Sequence, residues 1–226
     1  MAAGKGERMR PLTNKTPKPL IKVNQIPMIE SVIEALHLNG IYEIYVVVGY
    51  LKEQFQYLET KYSGLALIEN PYYDSCNNIS SLYVARKYLE NAFVLDGDQI
   101  IYNPKALNPF FTKSGYNAIW IEEKTTEWLM QTDADKRVIS CSREGGTKGW
   151  QLFSISRWSA EDAETLKKAL EKEFEIKKNT QLYWDDVVMF CHFEAFDLSV
   201  YEMQSGDIIE IDNLEELKKI DASYRT

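Results

Sequence analysis

Ala2-Ala3-Gly4-Lys5-Gly6-Glu7-Arg8-Met9-Arg10-Pro11-Leu12-Thr13, followed by Thr16-Pro17-Lys18-Pro19-Leu20, gathers glycines and cations into one short loop. Gly4 and Gly6 have no Cβ, so the backbone there can adopt positive φ and bring its N–H groups close to an anion. Arg8 offers phosphate a planar fork and Lys18 a compact point charge. The stretch reads as a nucleoside triphosphate loop. It lacks the Gly-Lys-Ser/Thr ending of a Walker loop and the spacing of the dinucleotide fingerprint. A Gly-x-Gly turn alone is a common surface turn, and the surrounding residues give it weight.

Downstream of the loop, Met28, Ile29, Val32, Ile33 and Leu36 recur at helical spacing, Gly40 supplies a stop, and Ile41 to Val48 reads as a strand. An amphipathic run from Leu51 to Tyr62, a strand at Leu65–Ile68, a helix from about Asn78 to Leu89 and a strand at Ala92–Leu95 continue the alternation. This pattern predicts an α/β fold of Rossmann-like type with a mixed, mostly parallel central sheet, whose ligands bind beyond the carboxyl ends of the strands. Beyond Pro104 the pattern changes to short strand-like runs separated by Asp133-Ala134-Asp135, Gly145-Gly146 and Gly149 turns, an antiparallel or mixed signature. Ser159-Ala160-Glu161-Asp162 resembles a capping box opening a helix, Tyr183 to Phe193 is expected to be helical, strands are expected near Val200 and Ile209, and a last helix from Leu214 to Lys219. With no repeat, low-complexity segment or linker, residues 1–226 are expected to form a single domain.

The chain has 226 residues, 45% of them hydrophobic and 12% aromatic, enough for a sizeable core. Lys and Arg number 26 against 34 Asp and Glu, a net charge of −8 that argues against nucleic acid as a partner. No apolar run of the ~18 residues needed to span a membrane is present, so membrane insertion is not expected. Cys76, Cys141 and Cys191 are odd in number and lack a Cys-x-x-Cys pair, which suits a reducing cytoplasm and suggests neither a disulfide framework nor a zinc site. His37 and His192 read as structural.

Asp96-Gly97-Asp98 ends the strand Ala92–Leu95, placing carboxylates at the ligand edge of the sheet, where Mg²⁺ takes one or two of them alongside phosphate oxygens. The alternative is a simple turn. Asp212, in Glu210-Ile211-Asp212-Asn213, is a second candidate, with N-cap of the last helix as its alternative role.

The opening motif and the helix start at Pro27-Met28-Ile29-Glu30 resemble the sugar-phosphate nucleotidylyltransferase superfamily. Val48 to Phe55, Asn77 to Tyr83, Thr126-Glu127-Trp128 and Leu182 to Asp186 narrow the likeness to the bacterial CTP:phosphocholine cytidylyltransferases of choline incorporation, with 2-aminoethylphosphonate cytidylyltransferases as close relatives. In that superfamily the glycine loop follows a buried first strand, which appears missing here because only Met1 precedes Ala2; an N-terminal truncation is the expectation.

The resemblance implies transfer of CMP from CTP to a small zwitterionic phosphate or phosphonate. By the same likeness Arg8 and Lys18 are catalytic, and Ala2, Ala3, Gly4, Lys5, Gly6, Asn77, Asn78 and Asp96 bind the nucleotide. It makes Asp98 and Asp212 the pair that holds Mg²⁺, and Trp128, Tyr183, Trp184 and Asp186 the acceptor site, with a structural place in the core as the alternative for these last four. For Asn77 and Asn78, capping of the following helix is the alternative. The aromatic and acidic character of the second half suits a quaternary ammonium, which takes no N–H hydrogen bonds and is held by aromatic faces and negative charge. Trp120 and Trp158 are expected in the core. A sugar-phosphate acceptor, a regulatory module without chemistry, a homodimer and a fusion to another enzyme domain are the remaining alternatives.

Overall fold

The computed structural model describes residues 1–225, and its elements follow the punctuation of the sequence. A short antiparallel pair, β1 (Lys22–Val23) and β2 (Ile26–Pro27), leads into α1 (Met28–Leu38). Helix α1 buries Met28, Ile29, Val32, Ile33, Ala35 and Leu36, and the chain leaves it through Gly40 at a φ of 76°. Next come β3 (Ile44–Val48), α2 (Tyr57–Lys61), β4 (Leu65–Glu69) and α3 (Ile79–Ala85). Then follow β5 (Ala92–Leu95), β6 (Gln99–Ile101), β7 (Gly115–Ile121), β8 (Leu129–Thr132), β9 (Val138–Ser142) and β10 (Gly149–Trp158). The last elements are α4 (Ala160–Glu171), α5 (Trp184–Asp186), β11 (Ser199–Glu202), β12 (Ile208–Glu210) and α6 (Leu214–Ile220). Ser159 caps α4, its Oγ accepting the Asp162 N–H at 3.2 Å.

These elements gather into two compact units. The first comprises Met1–Ala85, Asp96–Pro109 and the chain from Gly206 onward. In it β3 pairs in parallel with β4, and β12 pairs antiparallel with β6. Where the resemblance puts a first strand, expected to be missing here, the chain makes an isolated parallel bridge of Ala2 to Val48, with the Ala2 N–H donating to Val47 O at 2.8 Å. Met9, Ile21, Val23, Met28, Ile100, Ile211 and Leu217 form a core cluster here.

The second unit spans Arg86–Leu95 and Phe110–Ser205. Its six-stranded sheet runs β11-β7-β10-β8-β9, with β5 also on β10. The sheet is mixed: β11 lies parallel to β7, whereas β10 takes β5, β7 and β8 as antiparallel partners. Antiparallel pairs therefore outnumber parallel ones, because the ten-residue β10 is long enough, with a register shift between Leu152 and Ser156, to serve three neighbours. Tyr116, Trp158, Trp184 and Phe196 form its aromatic core. Trp120 departs from expectation, being 41% exposed. It lies near the end of β7, where burial along the strand gives out, edge-on to Trp150 at 5.2 Å. His192 is structural as expected, its Nε2 lying 2.8 Å from Glu173 Oε1. No helix among the described residues is long and apolar enough to cross a membrane.

Candidate active site

In the first unit the glycine loop is anchored at both ends. Ala2 and Ala3 are buried beside β3, and the Tyr50 N–H donates to Ala3 O at 3.0 Å. Gly4 is exposed, with open space where a side chain would project. Gly6 sits at a φ of 61°, and a Cβ there would come within 2.8 Å of Lys18 Cβ. A residue with a side chain could not hold that backbone shape so close to the lysine. Thr13 Oγ1 donates to Gly6 O at 2.9 Å and fixes the turn. Lys5 pairs with Asp74.

Antiparallel pairing of β6 with β12 sets Gln99 opposite Glu210, and the Ile211 N–H donates to Asp98 O at 3.2 Å. This register brings Asp98, at the entry to β6, together with Asp212, two residues past the end of β12. Lys18 reaches between them, its Nζ lying 2.5 Å from Asp98 Oδ2 and 3.0 Å from Asp212 Oδ1. Arg8 binds the same Asp212 through both guanidinium nitrogens, at 2.9 and 3.2 Å. Burial works to lower the Lys18 pKa, but the Asp98 and Asp212 carboxylates outweigh it and hold the ammonium above its ordinary value. Lys18 is therefore charged across the physiological range.

Asp212 does not cap the last helix: Asn213 does, its side chain accepting the Glu216 N–H at 3.0 Å. Its carboxylate is thereby left to the cations. A third carboxyl belongs to the cluster and was not among the expected site residues. Glu210 offers an oxygen that lies, with those of Asp98 and Asp212, in a group whose members are all within 4.8 Å of one another. The signal for it was alternation along an extended segment, which puts positions 210 and 212 on one face and the fully buried Ile211 on the other. Burial, followed by the charges of Asp98, Asp96 and Asp212, raises the Glu210 carboxyl well above the usual range, with Lys18 opposing. Asp98 Oδ1 is buried without a hydrogen-bond partner. Three convergent carboxyls, one with a bare buried oxygen, are a donor set suited to a hard divalent cation.

Asp96 is half-buried immediately past β5, within the electrostatic reach of Glu210. Asn77 and Asn78 stand half-buried just before α3, their carbonyls accepting from the N–H groups of Ser80 and Ser81 at 3.0 and 2.9 Å.

The second unit carries the other expected residues. Trp128, directly before β8, is half-buried and meets Phe190 edge-on at 5.3 Å and Tyr183 at 6.4 Å. Tyr183 is exposed and opens α5, with its N–H donating to Asp186 Oδ2 at 2.9 Å. Asp186 is buried and forms an ion pair with Arg143 at 2.6 Å. Trp184 is placed differently from the rest. It is 1% exposed, stacked on Tyr116 at 5.8 Å, and so supports the cluster from the core instead of lining it. Its neighbour Tyr183, the N-cap of α5, has an extended backbone and an exposed side chain. Phe190 and Arg143 were not expected from the sequence.

The family described as the MobA-like NTP transferase domain matches residues 1–173. A 2-aminoethylphosphonate cytidylyltransferase of Lancefieldella rimae is 40% identical over 226 residues, spanning 99% of this chain and 91% of that protein. A choline-phosphate cytidylyltransferase of Streptococcus pneumoniae is 37% identical over 221 residues, spanning 98% of this chain and 95% of that protein. Among solved structures, a CTP:phosphocholine cytidylyltransferase from Streptococcus pneumoniae matches with a TM-score of 0.91 at 36% identity, covering 98% of this chain and 96% of that one. The likeness expected from the motifs thus runs along nearly the whole chain.

Proposed function

Because the chain belongs to the MobA-like NTP transferase family, and within it is a nucleotidyltransferase of the cytidylyltransferase kind, we propose that it transfers CMP from CTP to phosphocholine, giving CDP-choline and pyrophosphate. The observation that carries this reading is the buried Lys18 ammonium clasped by Asp98 and Asp212 beside the glycine loop. In the reaction a phosphate oxygen of the acceptor attacks the α-phosphorus in line, a new P–O bond forms, and the bond to the β-phosphate oxygen breaks. The attacking oxygen of the acceptor is already anionic near neutral pH, so no protein base has to remove a proton. The barrier lies in bringing two polyanions together, which fixed positive charge lowers.

Lys18 is suited to the reacting phosphates, because its charge is secured by two carboxylates and its side chain lies close against Gly6. Arg8 and the Gly4-Lys5-Gly6 backbone are assigned to the β- and γ-phosphates, and Asn77, Asn78 and Asp96 to the nucleoside. Asp98, Glu210 and Asp212 would hold Mg²⁺, which when bound supplies charge neutralisation at the α-phosphate. In the second unit, Trp128, Tyr183 and Phe190 offer aromatic faces beside the Asp186 carboxylate, the chemistry that a quaternary ammonium requires.

A second reading, 2-aminoethylphosphonate as acceptor, is favoured by the 40% identity to the Lancefieldella rimae enzyme. The mechanism is the same, with the buried Asp186 receiving N–H hydrogen bonds from a primary ammonium. The two are separated by measuring pyrophosphate release with CTP and Mg²⁺ against phosphocholine, 2-aminoethylphosphonate and glucose 1-phosphate. Preference for phosphocholine in kcat/KM is the expected outcome. Preference for the phosphonate selects the second reading, and turnover of the sugar phosphate alone refutes both.

A further inference from the structure

Arg143 already occupies the place a cationic acceptor would take. Its guanidinium carbon lies 4.1 Å from the ring centre of Phe190 and 5.8 Å from that of Trp128, and its Nη2 lies 2.6 Å from Asp186 Oδ1. The aromatic faces and the carboxylate that suit a quaternary ammonium are therefore engaged by a cation of the chain itself. A guanidinium and an ammonium draw on the same ring quadrupoles and the same negative charge, so the two exclude one another.

The surroundings allow exchange. Asp186 is buried, with a side chain 6% exposed, whereas that of Arg143 is 48% exposed, so the arginine covers the carboxylate from the solvent side. Arg143 belongs to the Arg143-Glu144 turn between β9 and β10, where a long side chain can turn into water without displacing core residues. The same hairpin end is tied to the segment before Trp128 by paired backbone hydrogen bonds between Thr125 and Gly146, at 2.9 and 3.1 Å. The seat of Trp128 and the turn that carries Arg143 are thus braced together, and the arginine side chain is the movable part.

We propose that Arg143 is a resident competitor for the acceptor's cationic head, filling the Trp128–Phe190–Asp186 seat in the free enzyme and swinging out when a cation enters. This rests on the reading that the acceptor's cation binds at Trp128. The residue sets specificity: any acceptor has to outbid a guanidinium, which favours a head that draws most of its binding from aromatic faces. It also gives the buried Asp186, whose Oδ2 already accepts the Tyr183 N–H, a counter-charge when no acceptor is bound, since a buried carboxylate without one is costly.

The test is equilibrium titration of the full chain with tetramethylammonium chloride at constant ionic strength, followed by tryptophan fluorescence. The wild type is compared with Arg143→Ala, Arg143→Gln and the double variant Arg143→Ala/Trp128→Phe, with near-ultraviolet circular dichroism to verify folding. Tetramethylammonium should bind both single variants roughly fivefold or more tightly than wild type, and the gain should vanish in the double variant. In kinetics, the KM for the acceptor should fall in Arg143→Ala while that for CTP stays put. Equal or weaker binding to the single variants, with wild-type binding intact, overturns the role of Arg143 and leaves the aromatic seat standing. Absence of binding to every variant overturns both this inference and the placement of the acceptor at Trp128.

Discussion

Lys18 and Asp212 show how much a single side chain's partners decide. The lysine lies deep enough that its charge would be costly alone, and two carboxylates at 2.5 and 3.0 Å make that charge secure. Asp212 is available to it because Asn213, one residue on, takes over the helix cap. Replacing Lys18 by Ala should lower kcat by roughly a hundred- to a thousand-fold, the scale of losing one fixed charge at a reacting phosphate. Steady-state kinetics on a variant verified as folded measures this, and wild-type turnover would refute the assignment. Lys18 and Asp98 were singled out in the sequence by their motifs and by the family resemblance, and the structure brings the two side chains together. Glu210 was legible in principle, through the alternation that pairs it with Asp212. Arg143 was not, because its role comes from rings at positions 128 and 190 and a carboxylate at 186, none close to it in the chain.

Among elements, the pairing of α1 with α2 in the first unit depends on one buried acid. Glu30, on α1, accepts from Tyr57 Oη and Tyr62 Oη, each at 2.7 Å, and pairs with Lys61. Burial pushes its carboxyl up, and the hydrogen bonds from Lys61, Tyr62 and Tyr57 pull it further down, so the net shift is downward. A lowered native pKa means stabilisation that is complete above the ordinary value of 4.5 and lost as the pH falls through the native one. Glu30→Gln should cost about 1–3 kcal/mol at pH 7. In urea denaturation the gap between variant and wild type should narrow below pH 4.5; a gap constant with pH would show that the charge of Glu30 is immaterial. The existence of α1 followed from its apolar spacing and Gly40, but the tyrosines that satisfy Glu30 come from a segment about thirty residues away, beyond the reach of any local pattern.

At the scale of the molecule, each unit is organised around its own core, and the aromatic core of the second corrects one expected site residue. Trp184 stacks on Tyr116 at 5.8 Å and meets Trp158 at 6.1 Å, so its indole is part of the packing. Trp184→Ala should cost about 3–5 kcal/mol of stability. Trp184→Phe should retain the acceptor KM; thermal denaturation and steady-state kinetics together check both, and an acceptor KM that rises in a stable Trp184→Phe would return this residue to the site. The sequence by itself determined the class of fold, through alternating helical and extended periodicity, and it singled out the Gly4-Lys5-Gly6 turn, where the structure leaves no room for a side chain at Gly6 beside Lys18. It also determined the motifs that place the chain in its family. Tertiary structure alone decided which aromatics are buried and which are displayed, with Trp184 inward and Trp120 outward. It alone seated Arg143 on Trp128, a ring expected to receive a cation, and on Phe190, which was not. The physical reason is that periodicity and backbone conformation are local properties of the chain, whereas burial and charge pairing arise only when distant segments meet.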